Sequence, residues 1–274
     1  MQTKMDQIIR PIGVVHSDIK ESRDMPLQGA PAVIEIYAEF LEGLRGIEEN
    51  THINVIGWFD KAARTPLVIT PRKIRRINPT LGKRGVFSLR SPVRPNPLSL
   101  SVTHLLKVER SLLYVESLDL IDASPIIDIK PYSAGWDVVF WARDTHSRLV
   151  AHGAMLEEAL AALTREAYNF HGERCFATAA AARVIYDAAI ELEADPRDLV
   201  IELPANVSPH VADSLIGITR ATLGNGTLFL CSDRREIIVS LRKRSVSYRL
   251  LHIEDWSTTR ILGSPSASLF ERKP

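Results

Sequence analysis

Cysteine is scarce in this chain: Cys175 and Cys231 are the only two among 274 residues. Two thiols cannot build a disulfide framework or a four-cysteine zinc site, and they fit a reducing interior. Long apolar runs are also missing, since none approaches the roughly 20 residues a membrane helix needs. The segment Met1–Arg10 carries acidic and polar residues where a signal peptide needs an apolar core. Charge of one sign is absent overall: 34 Lys and Arg face 33 Asp and Glu, a net charge of +1. That balance excludes a strongly basic nucleic-acid coat and leaves room for local patches. With 45% hydrophobic and 24% charged residues the composition is not that of a disordered chain. No internal repeat or low-complexity tract breaks it up. The expectation is a soluble, cytoplasmic protein, long enough for one large domain or two medium ones.

Two halves obey different patterns. From about residue 7 to 142, short runs dense in Val, Ile, Leu and aromatics occur at Ile8–Ser17, Ala32–Ile36, His52–Phe59, Leu98–Val108 and Leu112–Leu120. Turn residues separate them, among them Pro26, Gly29, Pro66, Pro71, Pro79, Gly82 and the cluster Pro92–Pro97. Many short strands with little helical periodicity predict a mainly β domain, a barrel or sandwich. A short helix over Ala38–Gly46 is the exception. After about residue 153, Ala154–Tyr168, Thr178–Leu192 and Ser208–Leu223 show apolar residues at helical spacing. Strands are expected at Leu199–Leu203, Thr227–Cys231, Ile237–Leu241 and Ser247–Ile253, which makes the second half α+β. The last dozen residues read as a loose tail. The boundary falls near 145–153, dividing the chain into 1–148 and 149–274.

Three stretches of the first half concentrate chemistry. Lys61–Arg94 holds ten basic residues and no acidic one, among them Arg72, Lys73, Arg75 and Arg76. Such a run repels itself, so it serves to meet an anion, of which nucleic-acid phosphate is the commonest, or pairs with acids elsewhere in the fold. Arg90–Pro97 packs three prolines into six positions, which fixes φ, removes donors and gives a stiff loop. A stiff loop bearing Arg90, Arg94 and Asn96 can hold a ligand at little ordering cost, and an arginine in it can clamp a carboxylate. It can equally be a proline-rich turn. Asp119–Tyr132 brings Asp119, Asp122, Asp128, Lys130 and Tyr132 together after a strand, as ligand contacts or as a structural salt-bridge cluster.

Together these stretches resemble the TrmO family, also called TsaA-like or YaeB-like proteins. The matching pieces are Pro11–Ser17, the Gln28-Gly29 turn, Gly85–Pro97 and Asp119–Tyr132, in family order over roughly residues 7–140. The resemblance implies a small β-barrel methyltransferase that uses S-adenosylmethionine and assembles as a homodimer. It implies N6-methylation of threonylcarbamoyl-adenosine beside the tRNA anticodon as the activity. Carried over by motif, cofactor contacts fall on Gly29, Ala30, Pro31, Asp60, Lys61, Arg94, Asp128, Ile129, Lys130 and Pro131. No G-x-G-x-x-G follows a strand, in keeping with a site outside the dinucleotide-binding folds. An acylated exocyclic nitrogen must lose its proton, and Asp122, Asp128 and Tyr132 are the candidate bases. The basic run, with Arg72, Lys73, Arg75 and Arg76, would meet tRNA.

The chain departs from the family pattern at three places. Pro31 stands for a glutamate, Ser99 for a glycine, and Asp122–Pro125 for Asp-Gly-Thr-Pro. These changes bear on the acceptor more than on the cofactor, so a small-metabolite methyltransferase and a non-catalytic S-adenosylmethionine-binding module stand as alternatives. In the second half Phe170–Cys175, Asp213 and Thr222–Leu228 resemble the FmdE-like domain, a family associated with zinc. Glu173 replaces a histidine of its motif and the Pro-Gly after the cysteine is lost. What the resemblance leaves is a reduced ligand set of His171, Cys175 and His210, with Glu173 as a fourth candidate, or a bare scaffold.

Overall fold

A computed structural model describes residues 8–26, 28–71, 82–140, 142 and 156–273. It divides into two compact units, one made of the described residues up to 71 and from 82 to 139, the other of those from 140 onward.

The first unit is a closed barrel. Its strands are β1 (Gly13–His16), β2 (Ala30–Ile36), β3 (His52–Trp58), β6 (Leu98–Glu109), β7 (Leu112–Leu118) and β8 (Pro125–Pro131). Around the barrel they run β1-β2-β7-β6-β3-β8 and back to β1, every neighbour antiparallel. The short pair β4 (Val68–Ile69) and β5 (Arg84–Gly85) stands apart as a small ribbon. Strict alternation makes the wall: in β3, Ile53, Val55 and Gly57 point in while His52, Asn54, Ile56 and Trp58 stay partly exposed. Val15, Ile34, Ile53, Val55, Leu113, Val115, Leu118, Leu120 and Ile126 fill the interior, each at most 1% exposed. Six strands leave room only for side chains, so the barrel is a packed core and not a pore. The register slips at Ala30/Ala32, Ile56/Gly57 and Leu105/Lys107. Such bulges sharpen the local twist and let a sheet of so few strands close.

Two readings of this half need correction. Pro125–Pro131 is a full barrel strand that the sequence hid behind Asp128, Lys130 and its terminal prolines. The helix over 38–46 is a 3-10 turn, Ala38–Leu44. A four-residue helix, α1 (Ala134–Asp137), follows β8.

The second unit is α+β. Helices α2 (Leu156–His171), α3 (Phe176–Leu192) and α4 (Pro209–Thr219) accompany a five-stranded sheet. Its strands are β9 (Val200–Pro204), β10 (Leu228–Cys231), β11 (Ile237–Leu241), β12 (Arg244–Leu250) and β13 (Phe270–Lys273), in the order β10-β9-β11-β12-β13. Only β9 and β10 are parallel, and α4 is their crossover. Twelve of the seventeen residues of α3 are buried, mostly alanines. A helix apolar nearly all round belongs at the centre of a core, and small side chains let its neighbours come close. Where α2 meets α4, Gly217 lies so near that an added Cβ would come within 2.7 Å of Phe170 Cβ and 3.0 Å of the Glu166 carbonyl.

The C-terminal segment is not a loose tail. α5 (Thr258–Gly263) packs Ile261 inside, and β13 pairs antiparallel with β12 while Leu269 and Phe270 are buried. The Arg183 guanidinium, on α3, donates to Ser266 Oγ at 2.9 Å, a polar anchor for this segment that the sequence pattern did not reveal. Helix α4 also stops short of Leu223. Arg220 caps it in the left-handed region at φ 60°, and Thr219 Oγ1 takes the Ala221 N–H. None of the helices among the described residues is long and apolar enough to cross a membrane.

Gly217→Ala is expected to destabilise the second unit by about 1–3 kcal/mol through overpacking, although alanine favours helix by about 1 kcal/mol. Chemical denaturation checks this, and an unchanged or raised midpoint would mean that the α2–α4 crossing has slack.

Candidate functional site at one rim of the barrel

Antiparallel closure sorts the strand ends. β1, β7 and β3 finish on one rim, at His16, Leu118 and Trp58, and β2, β6 and β8 begin there, at Ala30, Leu98 and Pro125. That rim therefore collects the Gln28–Pro31 turn, Asp60 and Lys61, the Arg90–Pro97 loop and the Asp119–Ser124 connection. The sequence singled out three of them and the family resemblance added Asp60 and Lys61, although Gln28 and Ser124 stand far apart in the chain.

Backbone geometry fixes the turn first. Gly29 sits at φ 79°, and an added Cβ would stand 2.9 Å from the Leu118 carbonyl oxygen and from Ser117 Oγ. Only glycine satisfies both the positive φ and the close approach. Ser117 Oγ donates to the Gln28 carbonyl at 2.5 Å and the Gly29 N–H to the Pro26 carbonyl at 3.1 Å. Ala30 and Pro31 then lead into β2.

The proline loop is tied to the neighbouring strands at both ends. Phe59 N–H donates to the Pro97 carbonyl at 2.8 Å, and the Arg90 guanidinium bonds the Leu100 carbonyl. Arg94 is half-buried, with one weak bond of 3.5 Å to the Ser91 carbonyl, so most of its donors remain available. Asp60 and Lys61 are exposed just beyond β3. Among the described residues, Lys61, Arg64, Lys83, Arg84, Arg90 and Arg94 make no ion pair; Arg64 lies over the Trp58 ring at 5.1 Å. Arg72, Lys73, Arg75 and Arg76 lie outside the described residues.

The three candidate bases part company. Asp122 belongs to the rim but is tied down. Its carboxylate takes Lys20 Nζ at 2.8 Å and the Ser17 N–H at 3.0 Å. The bond from Lys20, then that from Ser17, hold its carboxyl below the usual carboxylate range, which makes it a weak base at neutral pH. Its role is to fasten the β7–β8 connection to the residues after β1, and Lys20 is the partner that sequence reasoning missed. Asp128 and Lys130 share the outer face of β8 and pair with each other at 3.0 Å. Asp128 stands opposite Ile56, Lys130 opposite Asn54, and Ile129 and Pro131 opposite Val55 and Ile53. Tyr132 lies past the far end of β8, its N–H bonded to the His52 carbonyl at 3.1 Å. At about 3.4 Å per residue that is about 20 Å or more along the wall from the rim. One chain thus brings Gly29–Pro31, Asp60, Lys61 and Arg94 to a common rim, and it spreads Asp128–Pro131 and Tyr132 down the outside.

Two family departures acquire structural roles. Ser99 is 4% exposed and its Oγ accepts the Gly57 N–H at 3.0 Å. Ala123 adopts φ 63° and its N–H donates to the Val15 carbonyl at 2.8 Å, closing the β7–β8 connection on β1.

The second unit brings its own candidates together. His171 Nε2 and His210 Nδ1 are 2.9 Å apart, Cys175 Sγ is 3.9 Å from His210 Nδ1, and the three ligand atoms lie within 4.8 Å of one another. The end of α2, the residue before α3 and the first turn of α4 supply them. Glu173 Oε2 is 4.0 Å from His210 Nδ1. Asp213 Oδ2 stands 3.4 Å from His171 Nδ1, the arrangement by which a carboxylate orients a metal-binding imidazole. The donor set of two imidazoles and a thiolate suits a zinc-type cation, with three protein ligands and a fourth position open. Asp213, already part of the FmdE-like resemblance, stands one turn beyond His210 on the same helix.

Comparison with known proteins follows these elements. The family described as tRNA-methyltransferase O N-terminal domain matches residues 14–138. An Archaeoglobus fulgidus protein named "S-adenosyl-L-methionine-binding protein" is 46% identical over 136 residues, covering 48% of this chain and 94% of the relative. A second protein of that organism, named "Probable S-adenosyl-L-methionine-binding protein", is 32% identical over 268 residues, covering 92% of this chain and 66% of the relative. Among solved structures, TrmO from Pseudomonas aeruginosa is 29% identical, covers 52% of this chain and 62% of that one, and gives a TM-score of 0.40.

Asp122→Ala is expected to lower thermal stability near neutral pH, with Lys20→Met giving much the same loss. A carboxyl whose folded pKa is depressed contributes above its unfolded pKa and stops contributing as pH falls through the folded value. The gap between wild type and Asp122→Ala should therefore shrink below pH ~4. A gap independent of pH would show that the ion pair is not what holds the connection.

Proposed function

The chain belongs to the tRNA-methyltransferase O N-terminal domain family through its barrel, and from that premise we propose that it is an S-adenosylmethionine-dependent methyltransferase. The observation that carries this reading is the coincidence of two sets of residues. The stretch that matches the family, and the relative named for binding S-adenosyl-L-methionine, is the stretch whose strand ends gather the Gly29 turn, Asp60, Lys61 and Arg94 on one rim. We take that rim, with Asp128–Pro131, as the cofactor site. It fits such a ligand: a backbone pressed close at Gly29, a stiff loop, a half-buried arginine with donors to spare for a carboxylate, and an exposed acid at Asp60.

When bound, S-adenosylmethionine supplies a methyl group activated on a sulfonium. The protein's work is to hold the acceptor nitrogen in line with that methyl, which can contribute about 7–11 kcal/mol. We take the acceptor to be N6 of threonylcarbamoyl-adenosine beside the tRNA anticodon. The six described cations of the Lys61–Arg94 stretch, without ion pairs among the described residues, support a polyanionic partner. The proton on that nitrogen then falls to Asp128 or Tyr132, because the bonds from Lys20 and Ser17 hold the Asp122 carboxyl below the usual carboxylate range.

We further propose a homodimer. Leu98, Leu100, Val102 and Leu106 expose 36–56% of their surface on the outer side of β6, and a second copy packed there would cover an apolar stripe. We assign the methyltransferase unit to 1–148 and read 149–274 as an FmdE-like domain. There His171, Cys175 and His210 would hold zinc, with no part in the methyl transfer. With tRNA as the acceptor, we take the protein to be cytoplasmic.

Transfer of radiolabelled methyl to tRNA carrying threonylcarbamoyl-adenosine, against a small-molecule extract, tests the acceptor. Label in tRNA is expected, and label confined to the extract would replace the acceptor with a metabolite. Arg94→Ala should lower kcat/KM by about 10- to 100-fold, the worth of a charged hydrogen bond, with an unchanged unfolding midpoint. Full activity in that variant would remove Arg94 from the site.

A further inference from the structure

The second unit carries a cleft that neither the methyl transfer nor the His171–Cys175–His210 group uses. β9 and β10 run parallel and end side by side, Cys231 opposite Pro204, with the Ala205 N–H bonded to the Cys231 carbonyl at 3.1 Å. Their exits then diverge, one into α4 and the other toward β11. The space between is about 370 Å³, lined by Ala205, Asn206, Ser232, Asp233, Arg234 and Arg235. Crevices beyond the carboxyl ends of parallel strands are where α/β sheets bind small ligands, because the loops are free to carry functional groups while the strands hold them still. The volume lies at the small end of ligand sites.

The lining is polar and its charges are unequal. Arg234 is directed by Glu202 on β9, with Nη2 3.4 Å from Oε2. Arg235 makes no ion pair among the described residues. A guanidinium left with its planar fork of donors beside a cavity suits a phosphate or carboxylate. Asp233 argues against a bare polyanion, since its carboxylate would repel an RNA backbone. Together with Ser232 and Asn206 it offers acceptors to hydroxyl groups instead.

We infer that this cleft binds a small phosphorylated metabolite bearing hydroxyl groups, its phosphate on Arg235 and its hydroxyls toward Asp233, Ser232 and Asn206. The site belongs to the second unit, and its test requires no methyl transfer. Calorimetric titration of the full chain with ribose 5-phosphate, ribose and inorganic phosphate reads it out. Saturable binding of ribose 5-phosphate, at least 10-fold tighter than phosphate and with none detected for ribose, is the expected result. Arg235→Gln should weaken that binding at least 10-fold, while Arg242→Gln, outside the cleft, should leave it unchanged. Absence of saturable binding, or equal binding by Arg235→Gln, overturns the assignment. So does an Arg235→Gln variant that loses affinity for tRNA and keeps it for ribose 5-phosphate, since the arginine would then be an RNA contact.

Discussion

Closure of the six-stranded barrel is the constraint from which the candidate site follows. With every strand paired on both sides, no edge remains to be protected, and the antiparallel order forces strand ends onto alternate rims. Three bulges supply the extra twist that so small a barrel needs. Once closed, the barrel has no freedom in where it places the Gly29 turn, the proline loop and the Asp119–Ser124 connection. Each is then locked by short-range bonds: Ser117 on the Gln28 carbonyl, Phe59 on the Pro97 carbonyl, Lys20 on Asp122. Preorganisation here is a consequence of topology plus a handful of hydrogen bonds, and it lowers what a ligand must spend on ordering the site.

The same closure limits what one chain can assemble. Asp128, Lys130 and Tyr132 run down the outer wall, away from Arg94, with β3 between them and the exposed leucines of β6. A site that draws on both regions is more naturally completed by a second copy against that wall than by any movement of a rigid strand. The homodimer and the cofactor site are therefore a single proposal in two parts.

Much of this was legible in the sequence, for identifiable reasons. Alternating Ile and Val at 52–58 and turn residues between short runs announce barrel strands, and the stiff Arg90–Pro97 loop announces itself by its prolines. β8 was missed because Asp128, Lys130 and two prolines disguise a strand whose inward positions are the few apolar ones between them. The C-terminal segment looked loose because its tethers are non-local: Arg183 lies some eighty residues from Ser266, and β13 depends on β12 for its ladder. The pairing of Asp122 with Lys20 is of the same kind. Charge alone left Asp122 free to be a base, and only the fold shows that it is already spent. In the second unit the resemblance to the FmdE-like domain named His171, Cys175, His210 and Asp213, while the closeness of their side chains and the cleft at the ends of β9 and β10 required the packing of the crossover helix to be seen.

Calorimetric titration of the full chain with S-adenosylmethionine, repeated on Arg94→Ala, tests the central claim most directly. The account predicts micromolar binding, about −8 kcal/mol, that weakens in the variant while its unfolding midpoint stays put. No binding by the wild-type chain would contradict it, and would leave the rim as a scaffold without its ligand.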